Sequence, residues 1–97
     1  MEIKLKNEKN SFAIYFEQNG EQAGEIFFRI KSSTVEVFHT EVKKELEGRG
    51  IAGKLFDELV QFARKNNYKL QPYCPYIKLK LVRGAEEYSD IYTAEAK

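Results

Sequence analysis

The stretch ELEGRGIAGKL, from Glu45 to Leu55, decides the fold because the sequence changes there from strand patterns to a helical pattern. It places three glycines, Gly48, Gly50 and Gly53, within six positions. Gly53 falls inside the first turns of the predicted helix, where glycine costs about 1 kcal/mol relative to alanine. A strand, a glycine-rich turn and a helix N-terminus together favour anion binding, because free amides and the positive end of the helix dipole converge there.

Two basic residues lie within this turn and could strengthen such a site. Arg49 and Lys54 can each donate hydrogen bonds to a phosphate, and the glycines let the backbone approach it closely. The alternative is a flexible strand-to-helix turn whose basic side chains are merely solvated. That alternative does not explain Gly53.

The sequence before the turn predicts an antiparallel meander. Ser11–Gln18 is β-branched and aromatic, and Asn19-Gly20 after it is a strong hairpin signal. A return strand is expected over roughly Gly24–Lys31 and a third strand over Thr34–Val42. The segment IKLK near the N-terminus either pairs at the sheet edge or precedes the first strand.

The sequence after the turn predicts a long helix and a parallel strand. Apolar residues follow helical spacing from Ile51 to Ala63, and Asn66-Asn67 suits a C-terminal stop. Tyr68–Tyr73 is a short strand reached by a helical crossover, which makes it parallel to the third strand. Pro72 cannot donate to a ladder, so pairing is expected to fail at that end.

A second, shorter helix follows, with Pro75 in its first turn and Gly84 as its stop. The tail after Gly84 is weakly patterned. The fold class is therefore α/β (α+β), in one domain over residues 1–97. Its mixed sheet combines an antiparallel meander with a helix crossover to a parallel, splayed strand and a short C-terminal helix.

Composition excludes several function classes. The formal net charge is +1, which gives no support for nucleic-acid or acidic-membrane binding. No apolar run reaches the length of a membrane span, and no signal-peptide core is visible. The single cysteine, Cys74, cannot form an internal disulfide, and one Cys with one His cannot furnish a zinc site without carboxylates. A cytoplasmic protein without a bound metal is expected.

The turn resembles the signature of the GNAT superfamily of acetyl-CoA-dependent N-acetyltransferases. That signature is a basic or Gln residue, two others, Gly, any residue, then Gly or Ala, opening a helix. EGRGIA occupies this frame, with Gly50 and Ala52 matching. The resemblance implies that the turn's amides hold the pyrophosphate of acetyl-CoA and that the end of the third strand pairs with the pantetheine arm, which enters beside Pro72. The expected cofactor contacts are Val42, Gly48, Arg49, Gly50, Ile51, Ala52, Gly53, Lys54 and Tyr76.

The chain also departs from the usual family pattern. Glu47 stands where Arg or Gln is usual, and we expect this carboxylate to point outward, away from a pyrophosphate. The helices that shape the acceptor site in larger members are missing. The chain is similar to the very small single-domain GNAT-like subfamily that carries CPY after the splayed strand.

The second helix carries further candidates. Many family members have a tyrosine acid at the position of Leu81 or Val82, and Tyr76 could substitute for it or be a core or rim aromatic. Lys78 and Lys80 could meet the phosphates of CoA or merely solvate the helix.

Cys74 is a candidate catalytic residue because it precedes Pro75 at the expected helix N-cap. The positive end of a helix favours the reactive thiolate. Cys74 could then accept the acetyl group covalently or simply neighbour the CoA sulfur. The alternative is a small buried apolar residue.

His39 and Glu41 are candidates for the base that deprotonates the acceptor. They alternate along the third strand, so both are expected on one face, together with Val35 and Val37. A histidine beside a carboxylate can act as a general base. The alternative is a solvent-exposed strand end with a hydrogen-bonded histidine.

These features predict an N-acetyltransferase that moves the acetyl group of acetyl-CoA to an unidentified amine, on either a small molecule or a protein. One alternative is an acetyl-CoA-binding sensor or carrier without turnover. Another is an interaction domain that has kept the fold and lost the ligand, which would show an exposed apolar patch in place of an open cleft.

Overall fold

One five-stranded sheet with two helices forms the fold in the computed structural model, which describes residues 2–9 and 11–92. The elements are β1 (Glu2–Glu8), β2 (Ser11–Gln18), β3 (Glu21–Lys31), β4 (Thr34–Val42), α1 (Ile51–Asn66), β5 (Lys69–Pro72) and α2 (Pro75–Arg83). Strands β1 to β4 pair antiparallel in chain order, and β5 pairs parallel to β4. The predicted fold class is confirmed. Met1, Asn10 and residues 93–97 of the predicted domain lie outside the described residues.

The N-terminal meander follows the predicted turns. Asn19 and Gly20 both have positive φ, 53° and 78°, as a tight two-residue hairpin requires. Strand β3 begins at Glu21, three residues earlier than predicted, because a register shift after Phe16 allows pairing to continue to the hairpin. The IKLK segment pairs with β2 and forms most of β1.

Helix α1 starts and stops where the sequence indicates. Its buried side chains are Ile51, Leu55, Phe56, Leu59, Val60 and Ala63. Asn67 ends the helix in a left-handed conformation, with φ 59°, and its N–H donates to the carbonyls of Ala63 and Arg64.

Helix α2 packs on the same sheet face as α1. Its buried residues, Ile77 and Leu81, join one core cluster that also contains Ile26 of β3 and Leu59 of α1. Gly84 is the predicted C-terminal stop. The opposite face of the sheet carries neither helix.

The segment after α2 closes one edge of the sheet. Ile91 is buried in the core, and its carbonyl accepts a 2.7 Å hydrogen bond from the N–H of Leu70 in β5. Arg64 of α1 holds this segment through Asp90, with Nε 2.9 Å from Oδ2. The weak sequence pattern gave no indication of this packing.

Strand β4 contains a β-bulge at Phe38. Val37 pairs with Phe28 of β3, but the next pair is His39 with Phe27, so Phe38 is an extra residue without a partner. Because side chains alternate along a strand, one extra residue moves every later side chain to the other face.

The bulge overturns one prediction. Val35 and Val37 are fully buried on the helix-covered face, whereas His39 and Glu41 lie on the opposite, exposed face. The expectation that these four residues share a face was wrong. It assumed unbroken alternation, and the pattern TVEVFHTEV has no residue that marks a bulge.

The pairing of β4 with β5 stops after Val37 and Pro72, as predicted. The N–H groups of Tyr73 and Cys74 then both donate to the Val37 carbonyl, at 2.8 and 3.0 Å, and the chain turns into α2. In the part of the chain that the structure describes, no strand pairs with residues 38–42 on this side. A gap therefore opens between β4 and the start of α2.

Candidate functional site

A cavity of about 360 Å³ lies where β4, the glycine-rich turn and the two helices meet. Its walls are formed by Val42, Leu46, Glu47, Gly48, Gly50, Ile51, Ala52, Gly53, Tyr76 and Lys80. The structure thus gathers all the predicted cofactor contacts except Arg49 and Lys54. The cavity adjoins the unpaired end of β4 through Val42.

The turn's backbone leaves its amides open to this cavity. Gly48 and Gly50 have φ of 84° and 79°, a left-handed conformation that strains other residues. Gly50 is the N-cap of α1, and no side chain caps the helix. The first-turn amides of Ile51, Ala52 and Gly53 therefore lack a side-chain acceptor at the positive end of the helix dipole.

Gly53 has no role in the packing of the protein. Apart from the backbone of its own helix, no protein atom lies within 4 Å of a Cβ added there, and the backbone does not need a positive φ. Alanine would therefore fit and would favour the helix by about 1 kcal/mol. What glycine does preserve is space at the cavity wall, which fits the close approach of a pyrophosphate to the backbone.

Charged side chains are arranged differently from the sequence-based expectation. Arg49 and Lys54 are exposed and do not form the cavity wall. Lys80 of α2 does, while Lys78 does not. Glu47 also lines the cavity and is exposed to solvent, and the outward direction of its carboxylate stays a prediction.

The position of Lys80 could have been inferred from helical spacing. It follows Tyr76 by four residues, so the two side chains share a face of α2. Its Nζ lies 5.4 Å from the ring centre of Phe56, which brings the ammonium over α1. Leu46 also forms part of the cavity wall, which no sequence pattern indicated. It lies in a 3₁₀ turn (Lys44–Leu46) that has no distinct sequence signal.

Cys74 occupies the N-cap of α2, as predicted, and is only 5% exposed. Its Sγ–H donates to Oγ1 of Thr40 at 3.3 Å. Thr40 lies in the unpaired part of β4, on the helix-covered side of the bulge. The thiol therefore faces the strand gap. Thr40 was missed because unbroken alternation would place it on the other face.

Tyr76 is the phenol nearest to this arrangement along α2. Burial, with smaller contributions from Asp57 and Cys74, raises the pKa of Tyr76 above its ordinary value. The side chain is therefore a neutral hydrogen-bond donor at physiological pH. Leu81, which is fully buried, and Val82, which is exposed, have hydrocarbon side chains. Neither can donate a proton to the CoA thiolate.

His39 and Glu41 form a pair on the other side of β4. The His39 Nε2 lies 2.8 Å from the Glu41 Oε1, and the side chains are 54% and 67% exposed. Thr40, which contacts Cys74, lies between them in sequence and on the helix-covered face. His39 and Glu41 lie on the opposite face. The edge of β4 beside the gap borders both faces.

The rest of the described residues offer no site with comparable chemistry. Within residues 2–9 and 11–92, no group of three His, Cys, Asp or Glu side chains could hold a metal ion. A cleft of about 380 Å³ lies between the sheet edge and α1, with Leu5, Gln61 and Phe62 in its walls. It has neither a helix N-terminus nor a strand gap. Among the described residues, no helix is long and apolar enough to cross a membrane.

Comparisons with known proteins agree with this geometry. The family model for GCN5-related N-acetyl-transferase matches residues 11–91. The solution structure of a GCN5-like protein from Staphylococcus aureus is 31% identical, with a TM-score of 0.69, and the match covers 96% of this chain and 90% of that one. No curated protein sequence matches the chain.

Larger enzymes share the fold at lower identity. A ribosomal-protein-alanine N-acetyltransferase from Brucella melitensis biovar Abortus is 23% identical over 93% of this chain and 67% of its own, with a TM-score of 0.67. Tetrahymena GCN5 is 19% identical over 78% of this chain, with a TM-score of 0.66. The chain spans half the length of that Tetrahymena structure.

Proposed function

Because the chain belongs to the GCN5-related N-acetyltransferase family, we propose that it transfers the acetyl group of acetyl-CoA to an amine. The observation that carries the proposal is the cavity at the glycine-rich turn, which continues into the gap beside β4. A pyrophosphate at the turn would leave the thioester end of the same molecule to extend along β4 toward Cys74.

The proposed binding mode uses the free backbone groups of two elements. The amides at Gly50–Gly53 bind the pyrophosphate, and Lys80 adds a positive charge to the cavity wall. Arg49 and Lys54 bind phosphate oxygens at the cofactor's exposed end. Residues 38–42 of β4 bind the amides of the pantetheine arm along the strand edge that faces away from β3, as a further strand would.

Acetyl transfer then requires one base and one proton donor. His39, oriented by Glu41, takes a proton from the acceptor ammonium. The free amine attacks the thioester carbonyl, a C–N bond forms and the C–S bond breaks. The attacking nitrogen loses its second proton to water, and the departing thiolate takes a proton from the neutral phenol of Tyr76. His39 then releases its proton to solvent, and Tyr76 regains one. The products are the N-acetylated amine and CoA thiol.

A second route passes through Cys74. Its thiolate would attack the same carbonyl, break the C–S bond to CoA and hold the acetyl group as a thioester until the amine attacks. The released CoA thiolate takes its proton from Tyr76 or from water. The position of Cys74 at the N-cap of α2 and beside the gap favours this route over a purely apolar role.

The test compares acetyl-CoA with S-acetylpantetheine, which lacks the pyrophosphate. Binding measured by calorimetry should be at least tenfold tighter for acetyl-CoA, and the Gly53→Ala variant should lose most of that difference. Equal affinity for the two ligands would contradict the proposed binding mode.

Intact mass after incubation with acetyl-CoA then separates the two routes. An added acetyl group that is absent from Cys74→Ala supports the covalent route. CoA release with an amine and with no acetylated protein supports direct transfer. Binding of acetyl-CoA without CoA release in the presence of any tested amine favours the alternative of a sensor or carrier.

We also propose that the protein is cytoplasmic. A free thiol at Cys74 and acetyl-CoA as the acetyl donor both suit that location.

A further inference from the structure

The sheet face opposite the two helices carries a row of aromatic side chains. Phe27 and Phe38 have ring centres 6.2 Å apart, and Phe38 stacks on Tyr73 at 5.4 Å with an angle of 6° between the rings. Phe38 alternates with the buried Val37 and so lies on this face, and Tyr73 is 57% exposed. Aromatic rings in this arrangement bind apolar and cationic groups of a partner.

The two ends of this face differ in charge, and one end carries two carboxylates. At the end next to the strand gap, Glu25 of β3 pairs directly with Glu41 of β4. Like charges opposite each other destabilise a sheet, and a bound cation relieves that cost. Glu25 also accepts a hydrogen bond from Gln22 at 2.9 Å, and Glu41 contacts His39.

The other end of the face carries a net positive charge. Arg29 lies over the Phe38 ring, 5.4 Å from its centre, and directly opposite Glu36 of β4. Lys31 follows two residues later on the same face of β3, opposite the uncharged Thr34. From Glu25 to Lys31 the strand extends about 20 Å, at roughly 3.3 Å a residue. That length matches about six residues of an extended chain.

The shape of the face favours a polypeptide over a small molecule. Small-molecule sites are concave and enclose most of the ligand. The cavity at the glycine turn and the cleft beside α1 are lined by other residues. An extended segment can instead contact the acidic end, the aromatic row and the basic end at once.

We propose that this face binds the acceptor as an extended polypeptide segment. A lysine or N-terminal ammonium lies at Glu25 and Glu41, apolar or aromatic residues lie on Phe38 and Tyr73, and an acidic residue lies near Lys31. This inference rests on the proposed function, because the ammonium is the group that His39 deprotonates and that receives the acetyl group across the gap. It identifies the amine as part of a protein.

The test uses a hexapeptide with blocked termini, lysine at one end, two aromatic residues in the middle and glutamate at the other end. Its controls are a peptide of the same composition with both charges in the middle, and blocked lysine amide. CoA release from acetyl-CoA should show a KM at least tenfold lower for the designed peptide than for either control.

Two variants of matched exposure test the aromatic row. Tyr73→Ser should raise the KM for the peptide about tenfold and leave the KM for lysine amide unchanged. Val82→Ser removes a side chain that is 48% exposed on α2 and should change neither. Equal KM values for peptide and lysine amide, or no effect of Tyr73→Ser, would overturn the proposal.

Amide shifts in labelled protein provide a readout that does not need turnover. Peptide added to the protein should shift residues 25–31 and 36–41 and Tyr73. Absence of these shifts, or burial of Tyr73 in a dimer of this chain, would contradict the docking face even if acetyl-CoA binds. If the peptide shifts these amides but acetyl-CoA does not bind, the docking face would be supported and the proposed function would be refuted.

Discussion

Gly53→Ala is the substitution whose effects on stability and binding have opposite signs. Apart from the backbone of its own helix, no protein atom lies within 4 Å of the added Cβ, so it creates no clash with the rest of the free protein. Alanine has the higher helix propensity by about 1 kcal/mol. The free energy of unfolding should therefore rise by about that amount, which corresponds to roughly 4–8 °C in Tm for a domain of this size.

The same methyl group occupies space at the cavity wall, where the proposed pyrophosphate approaches the backbone. Displacing the phosphate from one amide removes a hydrogen bond to a charged group, which is worth about 1.5–3 kcal/mol. The Kd for acetyl-CoA should rise roughly 10- to 100-fold.

The assay is calorimetric titration with acetyl-CoA beside thermal unfolding of the same samples. Gln61→Ala is the matched control, because it also raises helix propensity in α1 but lies in the cleft on the other side of the helix. It should stabilise the protein slightly and leave the Kd unchanged. If Gly53→Ala is more stable and binds acetyl-CoA as tightly as the parent protein, the reasoning is refuted.

Four further predictions concern charge and proton transfer. Glu47→Arg should tighten acetyl-CoA binding about two- to tenfold at low salt, because it replaces repulsion in the cavity wall by attraction; unchanged or weaker binding by calorimetry would contradict this. His39→Ala should lower kcat roughly 100-fold or more with little change in the Kd for acetyl-CoA, whereas loss of both would indicate a structural histidine. Tyr76→Phe should slow transfer at neutral pH without loss of stability, and an unchanged pH–rate profile would exclude it as the proton donor. The hydrogen bond from Arg64 lowers the pKa of the Asp90 carboxyl below its ordinary value. The stability from this pair is therefore present above the ordinary pKa of an aspartate and is lost as pH falls through the folded-state pKa. Unfolding of Asp90→Asn should show a shallower acid limb, and identical limbs would exclude this contribution.

Local patterns in the sequence predicted most of the elements. The apolar spacing of α1 and the left-handed stop at Asn67 depend on residues close in sequence, as does the hairpin at Asn19-Gly20. The end of strand pairing at Pro72 follows from the missing N–H of proline. These features required no knowledge of the rest of the fold.

The remaining features depend on contacts between distant segments. Phe38 at the bulge contacts the rings of Phe27 in β3 and of Tyr73 before α2, so strand alternation alone could not reveal the bulge. The side chain of Ile91 is buried in the core through contacts with distant segments rather than through any local period. The shape of the glycine-rich turn depends on the left-handed conformations of Gly48 and Gly50, which a count of glycines does not specify.

The assignment of the glycine-rich turn as the cofactor site is best tested by an NMR titration of the labelled protein with acetyl-CoA. Large amide shifts are expected at residues 46–54 of the turn, at residues 38–42 of β4 and at residues 74–80 of α2. Small shifts are expected at the cleft between β1 and α1. No shifts at near-millimolar acetyl-CoA, or shifts centred on Leu5 and Phe62, would contradict the assignment of the glycine-rich turn as the cofactor site.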